Sequence, residues 1–228
     1  MNKLLLSLLC LFVGGVAGAE TIAIIGTGKV GSALGAAFHE QGHTIVYGSR
    51  NPNRHSVEEL VADTGDNASA TIPQEAVIGA DIVVLAVPGL AVGEVVESLG
   101  DLSGKIIIDP TNPMERKLLK FYHASDSSNT ELVQSLAPDA DVVKAFNTLS
   151  TEFMTDPSRA GGPVSVPLAG DSGGAKDVVA ELVVGMGLEP IDVGGAERAK
   201  WVEGMGILLV NNMFSTRKSF NYHLREVP

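Results

Sequence analysis

Only one cysteine, Cys10, occurs in the 228 residues, and it falls within an N-terminal stretch that reads as a removable leader. A mature chain beginning at Glu20 would hold no disulfide, no thiol nucleophile and no thiolate metal ligand. Positive charge is also scarce, with 16 Lys and Arg against 27 Asp and Glu, a formal net charge of −11. No basic patch offsets this, which argues against a nucleic-acid partner. The five histidines, His39, His43, His55, His123 and His223, are scattered over presumed helix ends and loops. They form no metal-ligand spacing and no Ser/His/Asp set, so no catalytic residue and no metal site are expected. Internal repeats and low-complexity tracts are absent. The 45% hydrophobic content suits one well-buried domain from residue 20 to residue 228.

The leader covers residues 1–19. Met1-Asn2-Lys3 gives a short positive start, Leu4 to Val13 an apolar core, and Ala17-Gly18-Ala19 a small-residue cleavage pattern. A secretory signal peptide cut before Glu20 is the expectation. The apolar segment is short for a membrane span, and Cys10 follows Leu9, which argues against a lipid-modified cysteine. An uncleaved N-terminal anchor is the alternative.

The chain is organised around Thr21 to Arg50, TIAIIGTGKVGSALGAAFHEQGHTIVYGSR. A β-branched run ends in Gly26-Thr27-Gly28-Lys29-Val30-Gly31, a GxGxxG placed where a strand hands over to a helix. Helix-period apolar residues follow at Val30, Leu34, Ala37 and Phe38, and Thr44 to Tyr47 supplies a second strand. In this setting the motif points to a dinucleotide. Gly26 permits the tight turn, Gly28 lets backbone approach a pyrophosphate, and Gly31 lets helix and strand pack closely. The helix starting near Lys29 directs free N–H groups and its positive dipole end at that anion.

The residues after the second strand choose between cofactors. A carboxylate about 20 residues beyond the glycines would hold the ribose 2′-hydroxyl of NAD. Here the chain reads Gly48-Ser49-Arg50-Asn51-Pro52-Asn53-Arg54. Ser49 can donate a hydrogen bond and Arg50, aided by Arg54, can bind phosphate through charge-assisted bonds. NADP(H) is therefore predicted over NAD(H).

Further along, Ser56-Val57-Glu58-Glu59 has capping-box form and should open a helix to about Thr64. Ala68 to Ile72 reads as a strand, Pro73 to Gly79 as a short helix, and Asp81 to Pro88 as a buried strand whose end, Ala86-Val87-Pro88, would line the cofactor. Leu90 to Leu99 is helical in pattern, and Lys105 to Asp109 is a strand ending in Pro110-Thr111-Asn112-Pro113. Glu115 to Asn129 reads as a surface excursion, Thr130 to Leu136 as a helix, Asp141 to Asn147 as a strand, and Met154 to Pro163 as a loop. A strand from Val164 to Ala169, a helix from Ser172 to Met186 and a strand from Leu188 to Val193 complete the pattern. Ala196 to Leu224 is expected to be helical with breaks at Gly204 and Gly206. Alternating strands and helices imply an α/β fold, a doubly wound, mostly parallel, Rossmann-like sheet of about eight strands.

Several segments resemble the NADP oxidoreductases that use the deazaflavin coenzyme (factor 420), a domain also found as the cytoplasmic part of eukaryotic transmembrane metalloreductases. They are Ile24 to Gly31, Gly48-Ser49-Arg50, Ala86-Val87-Pro88, Asp109 to Pro113, Val143 to Thr148 and Val166 to Asp171. The resemblance spans about Thr21 to Glu203; Lys-Ala-Phe-Asn-Thr and Pro-Leu-Ala-Gly-Asp are its most specific runs. It implies that Thr27, Lys29 and Val30 line the pyrophosphate turn and that Ser49 and Arg50 hold the 2′-phosphate. It implies too that Ala86, Val87 and Pro88 run along the nicotinamide ribose, with Asn112, Ala145 and Asn147 around the nicotinamide and its partner ring. The partner would be deazaflavin or a flavin, and hydride transfer between two rings asks the protein chiefly for orientation and exclusion of water. Asp109 is expected to bond loop backbone and not to act as a base. The leader is unusual for this cytoplasmic redox family, so an exported and a cytoplasmic location both stay open.

The apolar run from Lys200 to Val210 reads as core, as a homodimer seam, or as one wall of the acceptor pocket, with Trp201 and Met205 facing a ring. Beside a flavin or ferric reductase that uses free flavin, two rival functions remain. One is a β-hydroxyacid or imine dehydrogenase, in which Lys200 or Asn211 would move the proton. The other is a non-catalytic NADP(H)-binding protein.

Overall fold

The computed structural model describes residues 18–115, 120–121, 126–225 and 227, so the leader expected over residues 1–19 lies almost wholly outside the described residues. Ten strands are present among them: β1 (Thr21–Ile25), β2 (Thr44–Gly48), β3 (Ala68–Thr71), β4 (Ile82–Val84), β5 (Ile106–Asp109), β6 (Met114–Glu115), β7 (Lys120–Phe121), β8 (Asp141–Lys144), β9 (Ser165–Ala169) and β10 (Glu189–Gly194). The helices are α1 (Lys29–Glu40), α2 (His55–Thr64), α3 (Pro73–Ala76), α4 (Val92–Ser98), α5 (Asn129–Leu136), α6 (Thr151–Thr155), α7 (Gly173–Gly185) and α8 (Ala199–Thr216).

Eight strands form one sheet in the order β10-β9-β8-β5-β4-β1-β2-β3, parallel except where β8 meets β9. Strand β1 pairs with β2 on one side and β4 on the other, which makes the β1/β4 boundary the switch point of the doubly wound sheet. Alternation along β1 divides the core. Ile22 and Ile24 face α1, α6 and α7 together with Leu34, Phe38, Phe153 and Val179, whereas Ala23 and Ile25 face α3, α4 and α5 with Ala76, Val96 and Val133. Phe38 has no exposed surface and meets Phe146 edge to face at 5.9 Å; burying such a side chain contributes about 1.5–3 kcal/mol.

Some element bounds differ from expectation. Helix α2 starts at His55 with Arg54 as its cap and no side-chain capping bond, so Ser56 lies inside the helix and Glu59 pairs with His55 at 3.2 Å. Strand β4 stops at Val84, because the chain turns sharply and Ala86 and Val87 donate to the carbonyls of Val84 and Leu85. Residues 151–160, read partly as loop, contain α6 and a 3-10 turn. Within the presumed excursion, β6 pairs with β7. Asn129, at its end, is instead the buried first residue of α5, which Ser128 caps by accepting from the Glu131 N–H at 3.1 Å.

Helix α8 runs unbroken through Gly204 and Gly206 and ends at Arg217, whose φ is 57°. Beyond it the chain is not helical as far as Leu224 was expected to be; it returns to β9, where Ser165 N–H donates to the Tyr222 carbonyl at 2.8 Å. No helix among the described residues is long and apolar enough to cross a membrane.

Candidate functional site

The turn between β1 and α1 is shaped by steric necessity. Gly26 has φ +113°, and a Cβ there would lie 2.3 Å from the Ala86 carbonyl oxygen. A Cβ on Gly31 would lie 2.0 Å from the Gly26 oxygen, so this glycine lets α1 lean on β1. Around Gly28 the situation is opposite: a Cβ would meet no atom within 4 Å, leaving the backbone open to a ligand. Gly28 caps α1 in extended conformation, and no acidic residue occupies the first turn of the helix to quench its positive end.

A groove of about 980 Å³ crosses the carboxyl ends of β1, β2 and β4. Gly26, Thr27 and Gly28 form its floor, and Ser49, Arg50 and Arg54 line it after β2, with Ala86, Val87 and Pro88 lining it after β4. Ser49 is pinned by its N–H to the Thr71 carbonyl at 2.8 Å, while its Oγ accepts from Asn51 N–H at 3.2 Å. Arg50 and Arg54 are exposed and make no ion pair among the described residues. Glu94, on α4, is the only carboxylate among the lining residues.

Lys29, Val30 and Gly31 do not line this groove. Lys29 faces a second, open groove between α1, α2 and α6, which Thr27 and Gly28 also border. Val30 packs against the core, and Gly31 is buried under the turn.

Asn112 and Asn147 come together at the ends of β5 and β8. Asn147 Nδ2 donates to Asn112 Oδ1 at 2.9 Å and to the Val202 carbonyl at 3.0 Å, and Asn112 Nδ2 donates to the Asn147 carbonyl at 3.2 Å. Phe146, at φ 63°, turns the chain just before Asn147; such a conformation costs about 1–3 kcal/mol and is held by its surroundings. Ala145, expected beside the ring, has no exposed surface and packs in the core. Among the described residues, the Oδ1 of Asn147 and the hydroxyls of Thr148 and Ser150 are buried without partners. Lys200 lies 5.5 Å from the Trp201 ring and Asn211 is exposed further along α8, away from the asparagine pair's hydrogen bonds.

Beneath the asparagines lies a charged cluster that sequence reasoning missed. Lys144 Nζ contacts Asp109 Oδ2 at 2.7 Å, Glu203 Oε1 at 2.9 Å and the Thr111 carbonyl at 2.7 Å. Asp109 also accepts from Thr111 N–H at 2.8 Å and from the Thr130 hydroxyl at 2.9 Å, so it serves loop backbone as expected. Burial pushes the Glu203 carboxyl above the usual carboxylate range, opposed by Lys144 and reinforced by Asp109. A lysine ending a buried strand between Val143 and Ala145 was the available signal, because buried lysines are nearly always paired.

Known proteins share this geometry. The family model for NADP oxidoreductase, coenzyme F420-dependent, matches residues 21–113. The F420-dependent NADP reductase of Methanothermobacter marburgensis is 29% identical over 209 residues, covering 83% of this chain and 91% of that protein. A crystal structure from Arthrobacter sp. FB24, described as a candidate F420-dependent NADP reductase, superposes with a TM-score of 0.84 at 28% identity, covering 91% of this chain and all of that one. Over residues 21–113 the chain matches the F420-dependent NADP oxidoreductase family, and these relatives extend the likeness over most of its length. Metalloreductase STEAP3 of Rattus norvegicus is 31% identical over 192 residues, 84% of this chain. There the family domain is one part of a larger protein, since the chain spans only 37% of its length.

Proposed function

We propose that this protein binds NADP(H) along the groove over β1, β2 and β4 and moves a hydride between the nicotinamide and a flavin- or deazaflavin-type ring. The observation that carries the reading is the pairing of an open glycine turn with Ser49, Arg50 and Arg54, where no carboxylate follows β2 to repel a 2′-phosphate. The bound dinucleotide supplies the hydride. Thr27 and Gly28 take the pyrophosphate at the start of α1, Ala86, Val87 and Pro88 support the ribose beyond it, and Asn112 and Asn147 orient the ring end. Lys29 acts through the field of the helix start, since it faces the neighbouring groove. A ring-to-ring transfer fits a ring end whose polar groups are the Asn112 and Asn147 amides and their neighbouring carbonyls.

The metalloreductase resemblance extends the reading to free flavin as an acceptor. The exposed face of α8, with Trp201, Leu208 and Phe214, is read as a homodimer seam, and export with cleavage before Glu20 is read from the leader. Decay of NADPH absorbance against deazaflavin, free flavins, quinones and small ketoacids tests the function. Turnover with a ring acceptor supports it, turnover with ketoacids alone favours the dehydrogenase rival, and tight binding without any turnover favours a non-catalytic role.

A further inference from the structure

We propose that Glu203 is a positioning residue for hydride transfer: from α8 it latches together the loops following β4, β5 and β8 and so sets their spacing at the ring end of the groove. This rests on the hydride-transfer reading above.

Each loop reaches the latch through a named contact. Glu203 Oε1 accepts from Lys144 Nζ at 2.9 Å and from Asn129 N–H at 2.9 Å. Lys144 ends β8 and its third donor serves Thr111, in the loop after β5, through the carbonyl at 2.7 Å. The Asn129 side chain donates to the Thr111 hydroxyl at 2.7 Å. The same Nδ2 lies 3.5 Å from the carbonyl of Gly89, which follows Pro88 in the loop after β4. There is no slack between those loops: a Cβ on Gly89 would lie 1.9 Å from the Asn112 carbonyl oxygen.

Helix α8 meets the asparagine pair on both sides of Glu203. Val202 accepts from Asn147, and a Cβ on Gly206 would lie 2.5 Å from Asn112 Oδ1 and 2.8 Å from the Asn147 carbonyl. Seating of α8 therefore decides where both amides stand. Glu203, Lys144 and Asp109 are each at most 1% exposed, and they are the charged groups that meet there, from α8, β8 and β5. Two buried carboxylates around one ammonium are costly to desolvate, and apolar packing would hold three elements together as well. What the charges add is a defined geometry. No α8 residue lines the 980 Å³ groove, so the grip on the nucleotide is separable from the latch.

The experiment compares wild type, Glu203→Ala and Glu203→Gln for NADPH Kd, for enhancement of bound NADPH fluorescence, and for kcat with FMN across pH. Glu203→Ala should lower kcat about tenfold or more, and reduce the fluorescence enhancement, while the NADPH Kd stays within about twofold. Burial holds the Glu203 carboxyl above its usual range, so wild-type kcat should fall as rising pH ionises it; Glu203→Gln, which keeps the acceptor oxygen, should restore most of kcat and lack that fall. The proposal is overturned if kcat is unchanged in Glu203→Ala, or if kcat and NADPH affinity fall together. Should Glu203→Ala not fold, Glu203→Gln decides: an alkaline limb identical to wild type sinks the idea. Failure of the underlying reading would show earlier, in a wild-type protein that neither binds NADPH nor oxidises it with any acceptor. For a wild type that binds without turnover, fluorescence decides: a weaker enhancement in Glu203→Ala supports the latch, and an equal one overturns it.

Discussion

Asn112 and Asn147, from loops after different strands, hold each other by two hydrogen bonds: side chain to side chain at 2.9 Å, and Asn112 side chain to Asn147 carbonyl at 3.2 Å. The pair has one spare acceptor, Asn147 Oδ1, which is buried and unpartnered among the described residues. Asn147→Ala removes the bonds to Asn112 and to Val202 and leaves their acceptors wanting. A loss of about 1–3 kcal/mol in unfolding free energy is expected, with a lower rate of NADPH oxidation. Denaturant titration and steady-state kinetics check this; an unchanged rate would remove Asn147 from the ring end of the site.

Cofactor preference should sit with Ser49 and Arg50. Replacing Arg50 by Ala removes a charge-assisted contact worth about 1.5–3 kcal/mol, or roughly a 10- to 100-fold loss of NADPH affinity, with little effect on NADH. Isothermal titration with both cofactors measures the ratio. Comparable NADPH and NADH affinities in the wild type would defeat the NADP(H) assignment outright.

Two glycines of one motif should respond differently to the same change. Gly31→Ala drives a methyl group to within 2.0 Å of the Gly26 oxygen, and overpacking of this kind costs about 1–3 kcal/mol or more. Gly28→Ala meets no protein atom within 4 Å, so its melting temperature should match wild type while dinucleotide affinity falls. Thermal melts with and without NADPH separate the two cases.

The pH dependence of stability follows from Glu203, whose folded carboxyl is raised from its ordinary 4.5, chiefly by burial. A group raised on folding favours the native state while it keeps its proton, and that contribution is lost as pH climbs through the folded value. Wild type should therefore lose stability over the interval above pH 4.5, and Glu203→Gln should flatten that part of the profile. Urea midpoints across the range test the sign; a wild type that gains stability there through Glu203 would contradict it.

Removing the ammonium should be more damaging than removing either neighbour's charge. Lys144→Met leaves Asp109 and Glu203 buried without their cation, and breaking a buried pair costs about 3–5 kcal/mol. Acidic buffer should restore part of the loss by protonating the carboxylates, which circular dichroism can follow.

The nucleotide half of the molecule was legible because local rules agree there. Strand β1, helix α1 and the Gly26–Gly31 turn obey propensity, periodicity and close approach at once, and the observed α1 begins at Lys29 as expected. The other half depends on long-range packing. Gly204 and Gly206 look like helix breakers, but Gly206 is what allows α8 to press on Asn112, so tertiary contact overrides propensity. Helix α6 spans five residues, too few to show a helical period. Glu203 could not be placed from sequence, because its partners lie on β8 and α5 and no short motif joins them.

Every residue lining the main groove falls between Ile25 and Ser98. The residues proposed to hold the phosphates and ribose are thus contiguous in sequence, while Asn112 and Asn147 of the proposed ring end and helix α8 come later in the chain. If the proposed function holds, chimeras that exchange the C-terminal portion between relatives should keep NADPH binding while their acceptor preference changes.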